Sequence, residues 1–574
     1  MKKIIIIGLL LGMIFPLRGI SQSFLENGQV HGNFQIDGAY YGEDSKLGIT
    51  DSSLNGKYFR MNAFGNIAYT NGNFEAGLRF EAYLPPLAGF DPAYEGAGIP
   101  YYYVKYKWDK LELTAGNFYE QFGNGLILRA YEEWQLGYDN SIRGFRAKFQ
   151  PVTGLTLTGL IGTQRYYWEP YQEGNRGIVR GFDADLYLND LLPFLKGSKT
   201  QITLGGSFVS KYEKASKKTI SRDSIQDTVV TKYIFSYKIP ENVAAYAGRM
   251  NLTHGGFNLT AEYAYKINDP SEFNDYIYKE GQALFLSMSY ATKGLGISLS
   301  GKRTDNMSFK SKRAEIGNVL DINYLPPLTK QHTYSLATIY PYATQPLGEM
   351  GIQGQIMYTI PKKSALGGKY GTQIELNYSN IRSIKKEQVS ADIPIDSTGT
   401  KGYKSPFFTL GDERYYEDFD IVITKKFSSK WKAIVSYINQ LYNIAVVEGH
   451  AGDPKVHANI GILDITYKIT PTKSLRMEAQ GLFTDQDRGS WAMGLLEFNI
   501  APKWFFTVMD EYNYSNPDEE MQLHYYSGNI AYVEGATRIS IGYGRQREGL
   551  LCVGGVCRQV PAANGFNITI SSQF

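Results

Sequence analysis

The chain has 574 residues and is rich in glycine and aromatic residues, with 60 Gly, 45 Tyr and 30 Phe. Its formal net charge is only +3 and no run concentrates positive charge, so we expect no nucleic-acid partner. After residue 22, no stretch reaches the ~18 consecutive apolar residues of a membrane-spanning helix. The composition shows no linker or break, which favours one domain over several.

The first residues have the pattern of a secretory signal peptide. A basic start is followed by a short apolar run at 4–15, and small residues at positions 19 and 21 suit cleavage before residue 22. The apolar run is too short to span a bilayer. We therefore predict a cleaved signal peptide at 1–21 and a mature chain at 22–574, in preference to a retained anchor helix.

Most of the mature chain alternates apolar and polar residues. In one stretch, Leu78 and Phe80 fall on one face, and Arg79 and Glu81 fall on the other. Side chains alternate between faces along a β-strand, so each such segment has one apolar and one polar face. The segments are about 10–14 residues long, enough to cross a bilayer when tilted, and their connections are alternately short and long. This combination indicates a membrane barrel more strongly than a soluble sandwich.

We therefore predict an all-β fold, a large antiparallel transmembrane β-barrel of about 26 strands, with 22 or 24 also possible. The number depends on two segments. A strand near 310–325 is needed to keep all long connections on one side of the membrane, and 361–369 is interpreted as a turn. So wide a barrel leaves an aqueous lumen. We expect either inward-folded loops or another protein to fill it.

The polar faces of the predicted strands carry charges of both signs. A pore that selects one sign of ion would concentrate one charge, so the mixture favours a solvated, cross-paired barrel interior. The residues predicted to face the lumen are Glu75, Arg79, Glu81, Arg146, Lys148, Asp183, Asp185, Glu375, Asp420, Arg476 and Glu478.

The stretch 116–144 interrupts the hairpin rhythm. It contains Phe-Gly-Asn-Gly at 122–125 and several charged and aromatic residues. Two alternatives stay open, a constriction folded into the lumen and an ordered outer loop. For the constriction, the candidate functional residues are Glu120, Gln121, Arg129, Glu132, Glu133, Asp139 and Asn140.

The chain has two cysteines, Cys552 and Cys557, which flank Val-Gly-Gly-Val. In an exported protein two cysteines most simply form one disulfide, and glycine permits the sharp turn between them. We predict a disulfide that shapes the tip of a hairpin. The alternating tail that follows is predicted to be the strand that closes the barrel.

The chain resembles outer-membrane barrels of the Bacteroidota in its leader ending at Ser21-Gln22, its tyrosine- and glycine-rich strands and its terminal Phe574. The stretches 116–144 and CVGGVCRQVPA are similar to an uncharacterised family of such barrels. The resemblance implies a place in the lipid bilayer of the outer membrane and recognition of Phe574 by the barrel-insertion machinery. It does not supply a function.

The same resemblance implies possible sites of modification. Bacteroidota glycosylate exported proteins at Asp-Ser or Asp-Thr followed by a small or aliphatic residue. Three similar triplets lie in predicted outer loops, and their candidate O-glycosylation sites are Ser224, Thr228 and Ser397.

No pattern in the sequence indicates catalysis. The chain has no Gly-x-Ser-x-Gly elbow, no phosphate-binding glycine loop and no His-Glu-x-x-His. His450, Asp453 and His457 share one predicted loop, but a polar loop with incidental histidines explains them more simply than a metal site. We expect no enzyme activity, no cofactor and no metal.

Two functional hypotheses follow. The first is a transport channel across the outer membrane, narrowed by inward loops. The second is a structural or gating subunit of a larger protein-export or assembly complex, with an outer-membrane lipoprotein as partner. The great predicted width and the absence of a separate plug domain motivate the second hypothesis.

Overall fold

The computed structural model describes residues 28–168, 177–215, 219–226 and 229–574, and the predicted signal peptide lies outside these ranges. The chain forms a closed antiparallel barrel of 24 strands in which each strand pairs with the next and the first pairs with the last. In chain order the strands are β1 Gln29–Tyr41, β2 Phe59–Asn71, β3 Phe74–Tyr83, β4 Gly96–Lys107, β5 Leu111–Phe118, β6 Ile142–Phe149, β7 Leu155–Gln164, β8 Ile178–Tyr187, β9 Thr200–Tyr212, β10 Asn242–His254, β11 Phe257–Lys266, β12 Gly281–Thr292, β13 Leu295–Asp305, β14 Gly348–Ile360, β15 Thr372–Ile384, β16 Leu410–Lys426, β17 Trp431–Asn443, β18 Lys455–Lys468, β19 Lys473–Phe483, β20 Trp491–Ile500, β21 Trp504–Tyr512, β22 His524–Glu534, β23 Thr537–Gln546 and β24 Ala563–Gln573.

The connections between strands alternate in length, as the sequence predicts. The turn at 72–73 joins β2 to β3, and Gly72 has the positive φ of 58° that such tight hairpin turns favour. Long connections lie at the opposite end of the barrel, and the start of β1 and the end of β24 lie at the short-turn end. The segment 361–371 is a turn between β14 and β15, as predicted.

The barrel has 24 strands, which is one of the alternatives to the predicted total of 26, and an expected strand is missing from the segment 306–347. β13 pairs directly with β14, so no strand separates them in the sheet, and the expected strand near 310–325 is absent from this described segment. The whole of 306–347 is one long connection, which we call the plug segment. It contains little regular structure, apart from a 3-10 turn at Leu336–Thr338 and a single bridge between Lys310 and Asp321.

The outer face of the barrel is apolar. Phe145 and Phe566 are 67% and 57% exposed, and both point away from the polar residues beside them in their strands. At the short-turn end Trp108, Trp431 and Trp504 are exposed, and each packs against a tyrosine. An apolar band with aromatic residues at its border is the surface of a barrel in lipid. No helix among the described residues is both long and apolar enough to cross a membrane.

The lumen is filled by two connections that fold inward. The plug segment is one, and the connection at 119–141, which we call the constriction segment, is the other. Together they form a buried apolar core that packs on small wall residues of β10–β12. The second half of the plug segment packs on β15–β20 and β22 across the lumen. The core residues include Phe122, Leu126, Ile127, Leu128, Met307, Phe309, Ile322, Leu328, Leu336 and Tyr340, with Ala245, Ala264 and Ala283 on the wall.

This filling occupies the half of the barrel near the long connections. Along β19, Gln480 and Glu478 are buried, whereas Arg476, closer to the short turn, has a side chain that is 30% exposed. Lys148 on β6 and Lys105 on β4 are similarly exposed near their short turns. The lumen is therefore filled towards the long connections, and its wall side chains are more exposed at the short-turn end, which we call the vestibule.

The burial of Phe309 in this core gives a test of the plug. Phe309 is 0% exposed, so Phe309→Ala should leave a cavity and destabilise the docked plug segment by about 3–5 kcal/mol. We expect faster tryptic cleavage after Lys312 and Arg313 in limited proteolysis of the purified barrel. Phe408→Ala, at a residue that is 79% exposed, is the control and should leave the cleavage rate unchanged. Equal rates for the two variants would contradict this description of the core.

Candidate functional site

The constriction segment and the plug segment dock on each other by main-chain hydrogen bonds. The Arg129 amide donates to the Ile322 carbonyl at 2.8 Å, and the Tyr324 amide donates to the Gly125 carbonyl at 2.9 Å. Asn323 adds a side-chain bond from its amide to the Leu126 carbonyl. The two segments therefore form one continuous layer across the lumen. Of the two alternatives for 116–144, the structure shows the inward fold.

An ion-pair network fixes the constriction segment to the wall. Arg79 of β3 pairs with Glu81 at 2.7 Å and with Glu132 at 2.5 Å, and also contacts Asp139. Arg165, just beyond β7, pairs with Glu81 and Asp139, both at 2.7 Å. Arg79, Glu81 and Arg165 have side chains that are at most 3% exposed, so the network is desolvated. Three carboxylates face two guanidinium groups, which leaves one negative charge in excess when all are ionised.

That imbalance appears in the pKa values of the constriction segment. Burial raises the pKa of the Glu132 carboxyl to about 7, against the opposing effect of Arg79. Burial alone would also raise the pKa of Asp139, but Arg165 and Arg79 outweigh it and hold that pKa below its usual range. When the pH falls towards 7, Glu132 is therefore the carboxyl group of the network that binds a proton.

The other predicted constriction residues also lie inside the lumen. The Glu120 carboxylate accepts hydrogen bonds from Arg146 and Lys148, both at 3.2 Å. The Arg129 guanidinium lies over the Tyr324 ring, 4.0 Å from its centroid. The Asn140 amide donates to the carbonyls of Arg129 and Asp321, Gln121 donates to the Gly123 carbonyl, and Glu133 accepts from the Gln135 amide.

The remaining residues predicted to face the lumen lie on the side of the wall opposite to the exposed apolar residues. Asp183 and Asp185 both bind Arg249, at 2.8 and 2.6 Å. Arg476 binds Asp464 at 3.0 Å and also contacts Glu478. Glu75 contacts Lys105 and accepts from the Tyr103 hydroxyl, Glu375 accepts from Gln373, and Asp420 contacts Lys330 of the plug segment.

Three buried wall lysines that the sequence analysis did not single out hold the plug segment. The Lys211 ammonium donates to the Lys310 carbonyl at 2.7 Å, and Lys266 and Lys302 donate to the carbonyls of Ser308 and Pro326. Lys211 and Lys302 are also neutralised, by Asp269 at 2.7 Å and Glu349 at 2.6 Å. Their only sequence signal is a lysine near the long-connection end of a strand, which is too common to identify such a role.

The far half of the plug segment reaches the opposite wall through side chains. Lys330 contacts Asp420, and the His332 Nε2 lies 2.6 Å from an oxygen of Asp418, both on β16. The Tyr334 hydroxyl donates to Asp464 at 3.2 Å, and the Leu336 amide donates to Gln480 at 3.0 Å. The segment is therefore fixed at both walls of the barrel.

The predicted disulfide between Cys552 and Cys557 is present and joins a hairpin at 549–560, the disulfide hairpin. Its turn does not stand free at the rim. The Gly554 carbonyl accepts from the Tyr324 hydroxyl at 2.8 Å, and the Cys557 carbonyl accepts from Asn318 at 2.7 Å. The hairpin is therefore part of the closed layer.

One large cavity remains beside this layer, with a volume of about 880 Å³. It lies between the plug segment, the disulfide hairpin and the wall formed by β1 and β21–β24. The wall contributes mainly small or amide-bearing residues to it: Ser527, Asn529, Gly542, Gly544, Gly565 and Asn567. The plug segment and the disulfide hairpin leave this space open.

The structure places two of the three candidate modification sites, and also the three residues that were compared with a metal site. Ser224 lies on the strand Thr219–Gln226 of a hairpin in the connection between β9 and β10, Thr228 lies outside the described residues, and Ser397 lies in the connection between β15 and β16. His450 and Asp453 are exposed and 3.5 Å apart, whereas His457 lies on β18. The groups of ligand atoms close enough to share one ion, within the described ranges, do not include these three residues.

The family model described as "Family of unknown function (DUF6029)" matches residues 1–574. The chain belongs to this family. No curated protein matches it. Among solved structures, the P pilus usher (PapC) translocation pore is 9% identical, with 95% of this chain and 99% of that chain covered and a TM-score of 0.39. The siderophore receptor PirA from Pseudomonas aeruginosa is 9% identical, with 95% and 80% covered and a TM-score of 0.40.

Replacing Arg165 tests the ion-pair network. Arg165→Met should lower the free energy of unfolding by about 3–5 kcal/mol, because it leaves the carboxylates of Glu81 and Asp139 buried with one partner fewer. Urea unfolding of the barrel measures the change. The control is Lys57→Met, which removes a pair with Glu95 whose side chains are 41% and 46% exposed. Lys57→Met should lower the free energy of unfolding by less than about 1 kcal/mol. A decrease as large as that of Arg165→Met would show that the buried network adds no more stability than an exposed ion pair.

The raised pKa of Glu132 gives a pH test. A carboxyl group whose pKa is higher in the folded than in the unfolded state binds more protons when folded, so it adds stability below pH ~7 that is lost as the pH rises through 7. Lowering the pH from 8 to 5.5 should therefore stabilise the wild type more than Glu132→Gln, which cannot titrate. Thermal unfolding midpoints of the two proteins at both pH values measure the difference, and parallel shifts would exclude this role of Glu132.

Proposed function

We propose that the chain is an outer-membrane channel whose lumen is narrowed by its own inward-folded segments. The observation that supports this most directly is the cavity of about 880 Å³ beside an otherwise closed layer. The apolar outer face with its aromatic border supports the location in a bilayer. The exposed wall side chains of the vestibule, such as Lys105 and Lys148, support a path that ends at the short-turn end.

The lining of the cavity suggests small polar solutes. Asn529 and Asn567 present amides to it, and the glycines of β23 and β24 present only main chain. Such a surface offers hydrogen bonds to a hydrated solute, and tyrosines such as Tyr340 and Tyr525 add aromatic surface to the same cavity. We therefore assign the solute path to the wall of β22–β24, on the side of the lumen that the plug segment leaves uncovered.

The second hypothesis, a subunit of an export or assembly complex with a lipoprotein partner, is retained as an alternative. It is motivated by the great width of the barrel and the absence of a separate plug domain, but the plug and constriction segments fill part of the lumen themselves. The vestibule at the short-turn end still favours it, because its exposed wall side chains are accessible to a partner. Purification of the native barrel in mild detergent, followed by mass spectrometry, separates the hypotheses: a stoichiometric partner supports the complex, and an isolated barrel supports the channel.

Conductance in planar bilayers tests the proposed path. Asn567→Trp places a large side chain in the cavity and should lower the single-channel conductance by about half or more. Ile541→Trp on β23 is the matched control, because this residue lies on the outer face, is 53% exposed and does not line the cavity, and it should leave the conductance unchanged. Faster migration of the unboiled barrels on gels checks that both variants fold. Equal conductance of the two variants would place the path elsewhere.

A further inference from the structure

Polar side chains gather on the lumen face of β15, β16 and β17. The strand register places Ser379 beside Asp418 and Asp418 beside Gln440, and it places Asn377 beside Asp420. All five residues are at most 2% exposed. A buried polar patch of this size on a barrel wall needs partners, because an unpaired buried polar atom is costly.

The plug segment supplies only some of these partners. The His332 Nε2 lies 2.6 Å from Asp418 Oδ2, and the Lys330 ammonium contacts Asp420 Oδ1. Tyr416 adds a hydrogen bond from its hydroxyl to the same oxygen of Asp418, at 3.3 Å. The second oxygen of each carboxylate therefore receives no hydrogen bond from the plug segment.

Four oxygen atoms at this patch are buried and have no hydrogen-bond partner among the described residues. They are Asp418 Oδ1, Asp420 Oδ2, Ser379 Oγ and Gln440 Oε1. Ser379 is 0% exposed and faces the lumen beside Asp418, so its hydroxyl is an unpartnered polar group aimed into the patch. The Asn377 amide nitrogen is also without a partner, but the unpartnered atoms of the patch are mostly oxygens, which points to a ligand that accepts electron pairs.

The charge balance agrees with a cation. The two carboxylates face one permanent positive charge, that of Lys330, and with a neutral imidazole at His332 the patch has an excess of one negative charge. One ligand atom from each of His332, Asp418 and Asp420 can be chosen so that all three lie within 4.8 Å of one another. That spacing lets one ion reach all three.

We propose that His332, Asp418 and Asp420 bind a divalent first-row transition ion, which joins the plug segment to the barrel wall. An imidazole with two carboxylates suits ions such as Zn²⁺ or Mn²⁺ better than Ca²⁺ or Mg²⁺, which prefer oxygen ligands alone. In this site His332 turns its ring nitrogen from Asp418 to the ion, and Ser379 and Gln440 offer additional unpartnered oxygens. His332 and Lys330 also line the cavity of about 880 Å³, which gives the ion a route in.

A second carboxylate cluster shows why this patch is different. Glu81, Glu132 and Asp139 are as closely spaced as the proposed ligands. However, two guanidinium groups already lie among these carboxylates. Arg79 contacts Glu132 at 2.5 Å and Glu81 at 2.7 Å. Arg165 contacts Glu81 at 2.9 Å and Asp139 at 2.7 Å. Arginine stays charged, so this cluster carries its own cations and serves as an internal control.

The proposal is tested on the full-length barrel in detergent. The protein is stripped with a chelator and titrated with Zn²⁺ or with Mn²⁺ in a calorimeter, and bound metal is counted by mass spectrometry after gel filtration. We expect one ion per chain. Asp418→Asn and His332→Gln should each weaken binding by more than about tenfold, and Glu132→Gln should bind as the wild type does.

A fourth variant distinguishes the loss of a metal ligand from a loss of folding, because it is expected to bind the ion more tightly. Lys330→Met keeps all three ligands and removes the positive charge next to Asp420, so it should tighten binding by about tenfold or more. Absence of stoichiometric binding of both ions by the wild type would overturn the proposal. So would unchanged affinity in Asp418→Asn, or unchanged or weaker affinity in Lys330→Met.

Discussion

The structure depends on how the main-chain amides and carbonyls of the plug segment find hydrogen-bond partners inside the barrel. A barrel of 24 strands encloses more space than its own side chains fill. The segment that fills it has little regular secondary structure, so only a few of its peptide groups pair with one another, as the Ile322 amide does with the Phe309 carbonyl. Its other buried peptide groups need partners elsewhere. Lys211, Lys266 and Lys302 donate to its carbonyls, and Gln480 accepts from one of its amides. The wall thus takes the place of a neighbouring strand.

Other features of the lumen follow from this arrangement. The wall carries alanine at positions such as 245, 264 and 283, where the docked segments pack closely, and larger polar residues where the lumen stays open. Charged side chains of the wall form ion pairs with the docked segments, as Arg79 and Arg165 do with the constriction segment. A mixed-charge interior is therefore a docking surface in one half of the barrel and a solvated vestibule in the other.

The local pattern of the sequence predicts the strands well and the long connection poorly. Alternation places Arg79 and Glu81 on one face and Leu78 and Phe80 on the other, because the period of two is a property of each strand alone. The segment 306–347 has apolar residues that resemble a weak strand, yet they are buried by packing across the lumen. His332 is separated from Asp418 by 86 positions. No local pattern links residues so far apart, so the proposed ion site appears only when the plug segment is docked.

The adjacency of β13 and β14 limits how the plug segment can move. Asp305 pairs with Gly348, so the segment leaves and re-enters the wall at one place. A plug domain attached at one end could be drawn out of its barrel, but a loop anchored at two neighbouring strands cannot. Any movement of the plug segment as a whole is therefore a swing about that single anchor line.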